Sequence, residues 1–418
     1  MKKENTMSRL TRIQSILHVA TYLVLFFAIP SVLWSAEKSI VWKIKKLTVD
    51  TNEGIDLADV NKDGKLDIIA GRNWYAAPDF IPKPVRSIKD WRGYAQSNGD
   101  FAYDVDNDGW VDVISMGFLL TEVYWYRNPG VEGLKLGQLW KKNLLVDTKT
   151  SANEGVLFED LNGDGKPEWI VNSWKKSSPQ YVWQLTKEKR TFNVKKGRKQ
   201  VRKARMMPAL SKVVINKTGN GHGLGVGDIN GDGLKDILCG TGWYECPSKK
   251  KPFGKEWKFH KDWDDLHSSV PMLVRDMDGD GKNDIIWGAG HDFGLYWWQQ
   301  EDLGTDGKTS WKKHLIDDTF SQPHCLAWAD LDGDGKDELI TGKRVFAHNG
   351  KDPGGKKPAC IFYYTWNKKT LKFQKHIIDK GTVGIGLQIR TGDLNGDGRI
   401  DIAVAGKGGT FILFNLVK

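Results

Sequence analysis

The chain has 418 residues, 39% of them apolar and 27% charged, with a formal net charge of +10 at pH 7. That balance supplies enough apolar side chain for an extensive core and excludes disorder over most of the length. Its 46 glycines and 19 tryptophans call for many tight turns and aromatic strand positions, and four cysteines are too few to frame so large a body with disulfides.

At the N-terminus Lys2, Lys3, Arg9 and Arg12 precede an apolar run over residues 19–34, followed by Ser35 and Ala36. A basic start, a short apolar stretch and a small pair read as a signal peptide over residues 1–36, the run being short for a membrane span. The expected mature chain, residues 37–418, is secreted, periplasmic or at the cell surface, with no stable membrane span after cleavage; an uncleaved anchor is the alternative.

Seven loops of the form D-x-[DN]-x-D-G-x-x-[DE] then follow in chain order. Their candidate ligands are Asp59, Asn61, Asp63 and Asp67; Asp104, Asp106, Asp108 and Asp112; Asp160, Asn162, Asp164 and Glu168; Asp228, Asn230, Asp232 and Asp236; Asp276, Asp278, Asp280 and Asp284; Asp330, Asp332, Asp334 and Glu338; and Asp393, Asn395, Asp397 and Asp401. Oxygen side chains at positions 1, 3, 5 and 9, with glycine at 6, suit Ca²⁺, so up to seven calcium ions are expected. An EF-hand is excluded, since position 12 is Ala70 in the first loop and Val404 in the last. Turn-forming alone is the competing reading, but it does not account for an acid at position 9.

Each loop lies between two β-compatible stretches, and most units continue with an aromatic strand and a strand opening on an aromatic residue and lysine, such as Trp311-Lys312. Four strands per unit and seven units predict an all-β, seven-bladed β-propeller with a calcium loop between the first two strands of each blade. Residues 42–49 match the outermost strand yet precede the first loop, and the last unit ends one strand short. The N-terminal strand is therefore expected to pair with residues 410–416 and close the ring. The loops resemble the FG-GAP and VCBS repeats of integrin-type propellers over nearly the whole mature chain.

Topology sorts the histidines. His260, His314 and His376 fall on outer strands and are expected to be structural. His222, His267, His291, His324 and His348 are expected on the face opposite calcium, with a polar ring of Glu53, Asn98, Glu154 and Gln388 at the blade entries. Imidazoles with a carboxylate suit Zn²⁺ or Mn²⁺; unrelated loop histidines are the other reading. Trp74, Tyr75, Trp243 and Tyr244 form either a sugar-stacking rim or packing between blades. Cys239 and Cys246 are either bridged or buried thiols.

From Gly221 onward, the segments HGLGVGDINGDG, GWYECP, GAGHDFGLYWW, SQPHCLAWADLDGDG and GKRVFAHNG resemble the propeller domain of aldos-2-ulose dehydratase and related bacterial proteins. The resemblance implies a metal-binding or active-site role for His222, His291, His324 and His348, and loss of water from a keto-sugar. The cupin domains of the fungal enzyme have no counterpart here. A histidine or a tyrosine, with Tyr244 the candidate, would remove the proton. The expected function is a metal-dependent sugar dehydratase or polysaccharide lyase-type eliminase acting on carbohydrate, anionic carbohydrate included; the alternative is a non-catalytic glycan- or protein-binding propeller at the cell surface.

Within an insertion at residues 184–210, residues 187–205 carry ten Lys or Arg against one Glu, a net +9. An anionic glycan, a membrane surface or plain solvation would each accommodate it. Nucleic acid is not expected, because no reader module is present.

Overall fold

A computed structural model describes residues 40–174, 178–196, 199–264, 267–303 and 309–417. Residues 1–36, read from the sequence as a signal peptide, lie outside the described residues. Among the described residues no helix is long and apolar enough to cross a membrane.

The fold is all-β, with repeated four-stranded antiparallel sheets in the manner of a β-propeller. Among the described residues seven such sheets follow one another. The third, for example, consists of Val156–Glu159, Glu168–Val171, Gln180–Lys196 and Lys199–Asn216, each strand paired with the next. The seventh comprises Gln388–Gly392, Asp401–Gly406 and Gly409–Val417, and takes its fourth strand from the other end of the chain. There Ile40–Thr48 runs antiparallel to Gly409–Val417, with Ile40 opposite Val417 and Lys46 opposite Phe411.

The second strand of every sheet is buried along its length, as in Asp67–Ala70, Asp112–Met116 and Asp401–Gly406. Successive side chains on it point to opposite faces, so each strand serves two cores. Ile69 packs with Val113 between the first and second sheets, whereas its neighbour Ile68 packs with Ala403 and Ile412 of the seventh. Ile114 and Trp169, Ile170 and Ile237, Leu238 and Ile285, Ile286 and Leu339, and Ile340 and Ile402 repeat the arrangement between the remaining neighbours. Because both faces are covered, these strands read as continuous apolar runs rather than as an alternation.

On outer strands His260, His314 and His376 lie flat on Trp243, Trp297 and Tyr363, with ring centroids 4.2, 4.3 and 4.5 Å apart. Their structural role is thereby explained. Trp74, Tyr75, Trp243 and Tyr244 are all buried in the inter-sheet cores, so packing, not a sugar-stacking rim, is what they do. Cys239, Cys246, Cys325 and Cys360 are free, buried thiols, and the bridge considered between the first two is absent.

Candidate metal centre and acidic loops

The acidic loops share one construction. The first Asp accepts the amide of position six in all seven, as with Gly64 N on Asp59 Oδ2 at 2.9 Å. The backbone passes through the left-handed region twice, at position four (φ 60° to 82°) and position six (φ 80° to 88°). Glycine holds position six throughout, the residue that adopts this conformation without strain; Lys62 and Asn107 are the two non-glycine residues at position four.

The acid at position nine is buried and accepts the amide of position two in every loop, as with Val60 N on Asp67 Oδ2 at 3.0 Å. In five loops its other oxygen accepts an amide at the end of the third strand, from Ala77, Asn128, Cys246, Gln300 or Asn415. The ninth acid thus has a task that needs no metal, one the sequence pattern did not reveal. Burial, with adjacent carboxylates adding to it, pushes these acids up: Asp67, Asp284 and Asp401 to about 6, Asp236 and Glu338 to about 7, and Asp112 to about 8.

The second loop differs from the rest. Arg127, opposite Asp112 on the third strand, places Nε 2.6 Å from Asp106 Oδ2 and Nη2 2.6 Å from Asp108 Oδ2. Its counterparts by strand register are Ala76, Gln184, Glu245, Gln299, Thr365 and Phe414, none of them cationic. A guanidinium therefore spans positions three and five, where a metal ion would draw its ligands.

At the opposite end of the sheets, Glu154, His222, His291 and His324 converge, each offering one ligand atom within 4.8 Å of the others. Three of them lie in the segments that enter the third, fourth and sixth sheets, and His291 follows the second strand of the fifth. His222 Nε2 is 3.1 Å from Glu154 Oε2 and 3.3 Å from His291 Nε2. His324 is completely buried, and neither of its ring nitrogens has a hydrogen-bond partner among the described residues. Its Nε2 lies 3.8 Å from Glu154 Oε1. Asp352 joins a second histidine to the group, accepting from His291 Nδ1 at 2.9 Å and His348 Nδ1 at 2.7 Å, and from Gln322 Nε2 at 2.9 Å. The His348 ring stacks on His291 at 4.4 Å and is exposed where His291 is not. His267 completes the five, 5.5 Å from the His291 ring.

Burial would raise Glu154, but Arg344, His222 and His291 outweigh it and hold the carboxyl well below its usual range. Arg344 also pairs with Glu53 through Nε and Nη2, at 2.7 and 3.0 Å. Burial lowers His222, and burial with Arg344 lowers His324 further, so both imidazoles are neutral with lone pairs available. His291 moves the other way, because Asp352 and Glu154 overcome its burial. Strain gathers here too: Gln322, Phe346, His348 and Asn349 all have left-handed φ between 46° and 64°, as functional sites often do.

Of the candidates read from sequence, His222, His291 and His324 meet in one group and His348 adjoins it. Tyr244 does not: its hydroxyl donates to the Thr218 carbonyl at 2.9 Å, its ring sits in the core between the third and fourth sheets, and burial raises it further out of reach as a base. Gln388 holds the Ile55 and Asp100 amides, and Asn98 accepts from Phe118, both structural tasks. Sequence reasoning missed Arg344, Asp352 and Trp174, whose ring lies within 4.8 to 5.8 Å of four of the histidines. Asp352 lies four residues after His348, a spacing that was available as a signal. A separate cavity of about 440 Å³ is lined by inner strands, with Arg390 paired to Asp56 at 2.7 Å; it does not include the histidines.

FG-GAP-like repeats are recognised at residues 104–171 and 276–341, which include the second, third, fifth and sixth acidic loops. No curated protein matches the chain. Among solved structures, two crystals of BBS1N in complex with ARL6DN, soaked with lead and with mercury, are similar over 90% of this chain and 97% of theirs, at 11% and 10% identity and TM-scores of 0.48 and 0.46.

Proposed function

We propose that this protein is an exported seven-bladed propeller, closed by its N-terminal strand and held by calcium in the acidic loops, that acts on carbohydrate as a metal-dependent dehydratase or lyase. The observation that carries the catalytic reading is His324, a fully buried imidazole with both nitrogens unpartnered beside Glu154, His222 and His291. Such a group is costly unless something binds it. Three imidazoles and one carboxylate fit Zn²⁺ or Mn²⁺ in donor type and number. The resemblance of the C-terminal half to a sugar-dehydratase propeller supports the same reading.

When bound, the metal would supply Lewis acidity that polarises a sugar carbonyl and acidifies the adjoining C–H. Asp352 accepts a hydrogen bond from the Nδ1–H of His291 and so leaves Nε2 facing the ligand group. It fixes His348 in the same way, which puts the exposed Nε2 of His348 at the mouth as a general base. His348 takes the proton from carbon, the C–H electrons form the new double bond, and the same proton leaves with the departing hydroxyl as water. Neither an oxidant nor a co-reactant is consumed. Arg344 keeps Glu154 ionised and offsets Glu53.

A second reading, a non-catalytic glycan- or protein-binding propeller, is favoured by one observation: Glu154 is already paired with Arg344 and His222, so its carboxylate is satisfied without metal. Elemental analysis of the purified full-length protein decides between them. The catalytic reading expects one equivalent of Zn or Mn beyond calcium, lost in His324→Ala together with dehydration of a keto-sugar substrate while the fold persists. A protein that takes up only calcium after incubation with Zn²⁺ and Mn²⁺ establishes the second reading.

A further inference from the structure

The basic insertion is an ordered arm, and its position is set by strand direction. Gln180–Lys196 and Lys199–Asn216 pair without a break from Tyr181 opposite Val214 to Lys196 opposite Lys199. The neighbouring strand Glu168–Val171 reaches only as far as Gln184, so residues 185–196 and 199–210 pair with each other alone. At ~3.4 Å per residue they form an arm of about 40 Å. The inner strand of this sheet runs toward its acidic loop, the second runs back, and the third runs forward again. The arm therefore projects from the acidic-loop end, away from the end that carries Glu154 and the histidines.

Opposed residues on an antiparallel pair share a face. Lys187, Lys189, Lys195 and Arg202 lie on one face; Arg190, Lys196, Lys199, Lys203 and Arg205 lie on the other with Glu188, the arm's one acid, which Arg190 engages. Arg190 also reaches the carbonyls of Leu144 and Leu145, the latter at 3.2 Å, and so fastens the arm to the outer edge of the second sheet. Among the described residues the other charged side chains of the arm are exposed, and the Arg190–Glu188 pair is the one ion pair within it.

We propose that this arm binds an anionic polysaccharide and tethers the protein to it with the histidine end free. The proposal does not rest on the catalytic reading. Cations on both faces suit a flexible polyanion that can pass along either side. A planar bilayer would meet one face only and leave the cations of the other without a partner, and Phe192, Val194 and Val201, apolar side chains of the arm, share their face with five cations. Nucleic acid would call for aromatic stacking platforms, and Phe192 is the arm's single aromatic residue.

The test measures binding of the full chain to dextran sulfate, with neutral dextran, phosphatidylglycerol-containing vesicles and a single-stranded oligonucleotide alongside. Binding to dextran sulfate is expected, absent for dextran, and weakened on the order of tenfold or more between about 50 and 200 mM salt through counterion release. The quadruple variant K187Q/K189Q/K195Q/R202Q, which leaves the Arg190 anchor intact, should lose at least about tenfold in affinity with an unchanged melting temperature. His324→Ala should bind as the natural chain does, which keeps this result separate from the metal site. Equal binding by the quadruple variant, no binding to dextran sulfate, or tighter binding to vesicles or oligonucleotide would each overturn the proposal.

Discussion

His324 is the residue whose surroundings make least sense without a ligand. Two buried, unpaired ring nitrogens cost about 1–3 kcal/mol each relative to a paired state. Replacing the ring by an apolar side chain of similar reach removes that penalty, so His324→Leu is expected to raise the melting temperature of the metal-free protein. The same substitution should abolish any increment that Zn²⁺ gives the natural chain. Thermal melts of both proteins with and without metal check the opposite signs; a His324→Leu protein that melts lower without metal would mean the imidazole is already satisfied. Position in the repeat put His222, His267, His291, His324 and His348 on one face, but whether they converge or stand as unrelated loop histidines was left open by the sequence. Arg344 was not legible, because a lysine- and arginine-rich chain hides one functional arginine; Asp352, on the same loop as His348, left only its four-residue spacing as a signal. Tyr244, a candidate base that could equally line a sugar-stacking rim or pack between blades, is buried by its strand.

At the scale of the loop, the repeat spacing showed where each element begins but not what the ninth acid does. A one-dimensional pattern cannot tell a metal ligand from a carboxylate that gathers two amides, and Asp67 is placed to do the latter. Two expectations follow from that arrangement. In chelator, the ninth acids titrate unassisted, and their folded values of about 6 to 8 exceed the ordinary Asp value of about 4. The stability they contribute is complete below about pH 4 and is lost as pH rises through 6 to 8. Metal-free protein should therefore melt at a lower temperature at pH 8 than at pH 5.5, and calcium should reverse the order; differential scanning calorimetry in chelator and in calcium checks this. The second expectation concerns number. Because Arg127 already spans Asp106 and Asp108, six calcium ions should bind rather than seven, and Arg127→Gln should add one. Each site saturated at 100 times its dissociation constant contributes about 2.7 kcal/mol, so the Arg127→Gln protein should gain more from calcium than the natural chain. Equal stoichiometry in the two proteins by calcium titration would show that the guanidinium yields to the ion.

On the scale of the whole molecule, the four-strand unit was read from a simple alternation of acidic turn, apolar run, aromatic strand and lysine-led strand, and it was legible because every second strand is buried on both faces. The arm was legible only as charge: nothing in a run of lysines distinguishes a solvated excursion from a paired hairpin, and its register became clear only with Val194 opposite Val201. The strand Ile40–Thr48 invites the most direct test. Without it the edge of Gly409–Val417 is left open, and exposed strand edges promote self-association. Deleting residues 40–48 should give a protein that elutes as aggregate in size-exclusion chromatography and unfolds at lower denaturant; a monomeric product with an unchanged midpoint would show that this strand is dispensable.

That same strand bears on how the chain acquires its fold during synthesis. Ile40 meets Val417, so a strand made before the first sheet has its partner in the last strand of the seventh. The first six sheets each pair strands close in sequence and can form as they emerge, whereas the seventh has to wait until Gly409–Val417 has been made. Contacts of such high sequence separation are slow to form. Until they do, the C-terminal hairpin presents an open edge, and premature termination anywhere within the last sheet yields a product whose opening strand has nothing to join.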